Sequence, residues 1–403
     1  MAKIQDMRYL AAFSGTGLSD KERQCAWEDL IGWVRRRRYS ARGSSAKRRR
    51  KRAAAAAAAA AAAVGGASVD SSGVLTQVSM DVHRAFHWDV CSHWGSEKRA
   101  SALAQLSAVL SAVFPASAAH SFPFYVQGCH DVAGVLLLSL GQPARATLAL
   151  QGLLQGPLRG CVQPDMRVPC ALLGLLPRLL HVGHAPLAAA LEASSPHEDA
   201  LPHYALPWLL TWFAHSLTAF ELVQRLFDVF LLGHPLLPLY ASAALLTLPG
   251  PAAAIQGVLR SSPGDEGALF QALAALPQAT LTSQQALTAL LQHLNAIYAA
   301  LPPEQLLREQ QPGLQGASAR RRHASAAAAL RQLWPQLLLW RQHGGGGGPQ
   351  AAGAGQGGGH LLAADGGCTG GRPGCGSGSG ATGQGAHQEA GEWTGCQLRG
   401  GGG

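Results

Sequence analysis

From Val229 to Ile255 the 403-residue chain carries no formally charged side chain. So long an apolar run has two physical outcomes, a segment that crosses a bilayer or helices buried in a protein core. Pro235, Pro238, Pro249 and Pro251 decide between them. Proline lacks the backbone donor and clashes with the preceding helical turn. The run is therefore expected to be a buried helix end, a loop and another buried helix.

Apolar residues elsewhere recur at helical spacing. Val132 to Leu140 is apolar all round and is expected to be a central buried helix, with Asp131 in its first turn where the helix dipole favours a carboxylate. Leu287, Leu290, Leu291, Leu294, Ile297 and Tyr298 form one stripe, ended by Pro302-Pro303. Ser19-Asp20-Lys21-Glu22 reads as a capping box ahead of Trp27, Leu30, Ile31 and Val34, and Thr218-Ala219-Phe220-Glu221 as a second one. Leu75, Val78, Val82 and Phe86 define a helix with Asp81 and Arg84 along its edge, and the next helix spans Arg99 to Phe114. Further helices are expected around Ala146 to Leu154, Val168 to Leu180 with a kink at Pro177, Ala205 to Phe213 and Thr218 to Leu232. Arg225 and Asp228, three apart on a strongly apolar helix, are expected to pair structurally. No strand-like alternation of any length occurs, so the fold class is all-α.

Composition divides the chain. One domain is expected over residues 6–303, interrupted at 35–72 by the basic runs Arg35 to Arg38 and Lys47 to Arg52 and the alanine tract Ala53 to Ala63. Residues 304–403 turn to alanine, arginine and glycine, a tail with too little to bury to order itself. Those short basic runs supply most of the +9 net charge. They read as a solvated insert rather than a nuclear-import or acidic-lipid patch, and no nucleic-acid partner is expected. The eight cysteines follow no tight spacing and no apolar signal peptide opens the chain, which points to reduced thiols in the cytoplasm.

Two short strings carry chemistry, Asp81-Val82-His83-Arg84 and Tyr125-Val126-Gln127-Gly128. A planar guanidinium matches the charge spread over phosphoryl oxygens, and a glutamine amide can both donate to and accept from an attacking water. No G-x-x-x-x-G-K-[ST] phosphate loop occurs, so a nucleotide would be brought by another protein. Asp81 and Arg84 stand three positions apart, which lets the carboxylate hold the guanidinium. Gly128 permits a tight turn directly after Gln127.

These strings resemble the arginine-finger and glutamine-finger motifs of the TBC domain, a Rab GTPase-activating module. Leu206-Pro207-Trp208-Leu209-Leu210-Thr211-Trp212-Phe213 and Arg225-Leu226-Phe227-Asp228-Val229-Phe230-Leu231 resemble two more of its blocks in the right order. The resemblance implies an activator of a GTP-bound Rab, with Arg84 and Gln127 catalytic and Asp81, Tyr125 and Gly128 supporting. It implies no cofactor of the chain's own, since GTP and Mg²⁺ are bound by the Rab. It further implies work in traffic between endoplasmic reticulum and Golgi, from the cytoplasm, with peripheral contact to those membranes. Two departures stand beside the finger: Ala85 where the family usually has Ser or Thr, and Phe86-His87-Trp88 where a basic stretch commonly follows. They keep open a second reading, a Rab-binding or membrane-tethering scaffold with little catalysis. His83, His87, Cys91 and His93 have spacing that could suggest zinc, but Trp88 and Trp94 interleave and no second ligand cluster supports it, so no metal is expected.

Overall fold

The computed structural model describes residues 17–27, 73–114, 122–194 and 201–307. Leu30, Ile31, Val34, the 35–72 insert and the glycine-rich tail with Cys368 and Cys375 lie outside the described residues. All regular structure among the described residues is helical.

The capping box at Ser19 forms: Ser19 N donates to Glu22 Oε2 at 2.9 Å and Glu22 N to Ser19 Oγ at 3.4 Å, opening helix α1 (residues 20–27). Next come α2 (Gly73–His83), α3 (Ser96–Val113), α4 (Cys129–Leu140) and α5 (Pro143–Gln155), with α5 packed on both α3 and α4. All of α4 is buried except Leu138, and the largely apolar run from Val132 onward accounts for most of that burial. A second group is built from α6 (Arg167–Leu173), α7 (Leu176–Ala193), α10 (Leu237–Thr247), α11 (Pro249–Ser261), α12 (Glu266–Thr280) and α13 (Gln284–Ala300). Every residue of α10 is buried, and α10 packs most extensively against α7 and α13. Between the groups, α8 (Leu206–Thr211) and α9 (Phe220–Leu232) each touch α4 on one side and α10 on the other. The charge-free run thus resolves into the end of α9, all of α10 and the start of α11, with α10 and α11 bent at 66°.

Three expectations are corrected and a fourth is widened. Pro177 starts α7 rather than kinking it; the irregular residue is His184 (φ −162°, ψ 84°), two positions before Pro186. The box at Thr218 does not form. Thr218 Oγ1 instead accepts from Gln278, and Asp89, far back in the chain, accepts from Phe220 N at 3.1 Å. Helix α2 ends at His83, so Arg84 lies in the turn that follows, and Phe86 leaves the helical stripe with φ +61°. Asp228 takes its hydrogen bonds from α1: Arg23 Nε donates to both carboxylate oxygens at 3.0 Å and Trp27 Nε1 to Oδ1 at 3.0 Å. Arg225 Nη1 donates to Gln284 and Thr288, and its charge supports Asp228 as expected.

Candidate functional site

Three pieces of chain converge beside the end of α2: the turn at residues 84–88, the loop at residues 122–128, and the turn at residues 211–215 after α8. Asp81, in the last turn of α2, is the joint. Its side chain is fully buried, which would be costly for an isolated carboxylate, and donors surround it. Arg84 Nη2 lies 2.7 Å from Oδ1, Gln77 Nε2 donates to the same oxygen at 3.0 Å, and the Tyr125 hydroxyl donates to Oδ2 at 2.8 Å. The Arg84 side chain remains 50% exposed. One carboxylate therefore aims a guanidinium toward solvent with one oxygen and tethers the Tyr125 loop with the other. Burial and the facing Asp81 charge push the Tyr125 hydroxyl far above its ordinary pKa, so it stays a donor.

Gln127 sits two residues beyond that tether, partly buried, and Gly128 follows at φ +96°. Only glycine adopts that region freely. The site also lacks room, because a Cβ on Gly128 would stand 2.6 Å from Thr211 Cγ2. Sequence reasoning placed Arg84, Asp81, Tyr125, Gln127 and Gly128 together, and the structure brings all five to one corner of the molecule.

Beneath this corner lies a cluster that sequence reasoning missed. Asp131, fully buried in the first turn of α4, accepts at Oδ2 from His215 Nδ1 at 2.9 Å. Its Oδ1 faces His130 Nε2 at 3.3 Å and His87 Nδ1 at 3.8 Å. Burial alone would raise the carboxyl, but His130, the His215 hydrogen bond and His87 outweigh it and hold Asp131 at about 2. His215 moves the other way: burial would lower it, yet the bond and charge of Asp131 raise it above its ordinary value. Burial lowers His87. The only sequence signal for the cluster was an acid and a histidine opening an otherwise apolar helix, since His215 is remote in the chain.

The backbone just after Arg84 is fixed by aromatic packing and a hydrogen bond. Phe86, in the left-handed region, packs 5.3 Å from the Trp94 ring, while Ala85 O accepts from Arg99 Nη2 at 3.0 Å. Trp212 and Phe213 also have positive φ, and their turn presents Ala214 O to Trp88 Nε1 at 3.1 Å. His87 is thus directed to Ala214 and Asp131. Among the described residues no three His, Cys, Asp or Glu side chains are arranged to hold a metal ion.

The described fold and this corner define a class: an all-helical protein whose chemically equipped site presents an acid-anchored guanidinium outward. Comparison with known proteins identifies the class. The profile of the Rab-GTPase-TBC domain matches residues 23–249, more than half of the chain, and the chain belongs to that family. The chain is 34% identical over 122 residues to TBC1 domain family member 20 of Bos taurus, covering 30% of this chain and 29% of the relative. It is 30% identical over 170 residues to GTPase-activating protein gyp10 of Schizosaccharomyces pombe, covering 42% and 43%. The matches thus span less than half of those relatives' own lengths. The crystal structure of the Chlamydomonas flagellar RabGAP TBC domain aligns with a TM-score of 0.48 at 19% identity, covering 72% of this chain and 83% of that one.

Proposed function

We propose that the chain accelerates GTP hydrolysis by a Rab GTPase, inserting Arg84 into the partner's nucleotide site and using Gln127 to orient the attacking water. The observation that carries this reading is the shared Asp81 carboxylate, which ties the Arg84 turn to the loop bearing Gln127. GTP and Mg²⁺ come with the partner. The guanidinium offsets charge developing on the γ-phosphoryl oxygens, an effect of roughly 10³ to 10⁵ in rate, or about 4 to 7 kcal/mol of barrier. The site of action we propose is the cytoplasmic face of endoplasmic reticulum and Golgi membranes, by peripheral contact, in vesicle traffic between them.

Single-turnover hydrolysis by a panel of GTP-loaded Rabs tests the reading, using wild type, Arg84→Ala and Gln127→Ala. Strong stimulation of at least one Rab by wild type, lost in both variants, is the expected result. Binding without acceleration would instead identify a scaffold. Membrane fractionation tests the location, with release by salt or carbonate expected of a peripheral protein.

A further inference from the structure

We propose that His215 is a second, titratable cation on the Arg84 face, one that meets the phosphate-bearing side of the docked GTPase and makes stimulation stronger in mild acid. The inference rests on the proposed Rab-activating function and deepens it.

The geometry starts from Asp131. A fully buried carboxylate requires a positive partner, and three imidazoles face this one. His130 is itself buried, and His87, with 26% of its side chain exposed, turns a ring nitrogen to Ala214 O. His215 has the short contact to Asp131, at 2.9 Å, and still leaves 39% of its side chain exposed. It can therefore carry charge while reaching a partner.

Charged and titratable groups set against His215 include Asp131 from α4, Asp81 and Arg84 from α2 and its following turn, and His87, whose ring centroid is 6.1 Å away; His130 joins the same cluster through Asp131. Asp131 and Asp81 favour the imidazolium, and Arg84 opposes it. Docking of a triphosphate neutralises Arg84 and removes that opposition, so binding draws a proton onto His215. By reciprocity, a protonated His215 favours binding. The sign follows: the charge is present below the histidine's ordinary pKa and is lost as pH rises through its elevated one.

The test is the ratio of stimulated to intrinsic hydrolysis, measured at subsaturating activator from about pH 6 to about pH 8.5. The ratio cancels the GTPase's own response. For wild type it should fall several-fold across the range. His215→Gln, whose amide can still donate to Asp131, should be flat at the high-pH level. Asp131→Asn should move the fall to lower pH, and NMR titration of the His215 ring should show the same displacement. Retention of the wild-type fall in His215→Gln overturns the inference, as does a flat wild-type profile. Arg84→Ala separates the two readings. Stimulation that survives in Arg84→Ala, or that is absent in wild type, overturns the proposed function and this inference with it. Stimulation lost in Arg84→Ala, with the pH response intact in His215→Gln, overturns this inference alone.

Discussion

Asp81 lies wholly inside the protein, yet one of its carboxylate oxygens sits 2.7 Å from the guanidinium of the half-exposed Arg84. The acid is wholly buried and the guanidinium half exposed, so the pair aims Arg84 from the inside outward.

Replacing Arg84 with lysine should therefore fail nearly as badly as replacing it with alanine. An ammonium keeps the charge but cannot span Asp81 and a phosphoryl oxygen with one planar fork. Stimulated single-turnover hydrolysis should drop by about 10³ or more in either variant. Equal activity of Arg84→Lys and wild type would refute the fork.

Tyr125→Phe removes the donor to Asp81 Oδ2 and leaves His130 Nδ1, at 3.9 Å, as the nearest ring nitrogen. An underserved buried carboxylate oxygen costs about 1–3 kcal/mol, measurable by urea unfolding. The loop carrying Gln127 loses its tether at the same time, so stimulation should fall with stability. Unchanged values for both would remove Asp81 from its joining role.

Gly128→Ala meets two obstacles, a positive φ and the Thr211 methyl 2.6 Å away. The combined loss should exceed the roughly 1 kcal/mol expected of backbone strain alone. Adding Thr211→Ser deletes that methyl and keeps the hydroxyl that bonds Pro207 O. The double variant should recover the steric part, leaving the backbone part, as read by thermal melting.

Arg23→Ala strands the buried Asp228 carboxylate, which burial already pushes up to about 6 despite Arg23, Trp27 and Arg225. Breaking a buried pair from one side costs about 3–5 kcal/mol. Arg23→Met with Asp228→Leu should restore most of that loss. A small effect from the single substitution would show that α1 contributes little to the core.

Acid unfolding should report on Asp131. Its folded pKa of about 2 lies below the ordinary carboxylate value, so the unfolded chain binds more protons between the two. Its stabilising contribution is complete above about pH 4 and fades as pH falls toward about 2. Wild type should lose on the order of 2 kcal/mol more than Asp131→Asn across that window.

Where structure depends on neighbours in the chain, the residues were legible. Helix α4 and the Leu287 to Ile297 stripe follow from apolar spacing, and the Ser19 box follows from four adjacent residues. Where a distant group competes, local reading failed. Gln278 took the Thr218 N–H that Glu221 was expected to engage, and Arg23 and Trp27, from a distant helix, supply hydrogen bonds to Asp228. The same reason hid Asp131 with His215, whose partnership exists only once α8 is laid against α4. The Arg84, Asp81, Tyr125, Gln127 and Gly128 group was legible because its members lie in two short, recognisable strings.

Phe86 follows Arg84 by two residues, in a backbone region that suits glycine, with its ring sealed in beside Trp94 and Trp88. Glycine there would relax the chain and empty the pocket, while any other large side chain would keep the tension and fit less well. Gly134 closes the third side, since a Cβ on it would come within 3.1 Å of the Trp88 ring. Neither site can change size alone without disturbing the other, so the ground on which Arg84 stands is a three-sided wedge of rings and glycine rather than the helix that precedes it.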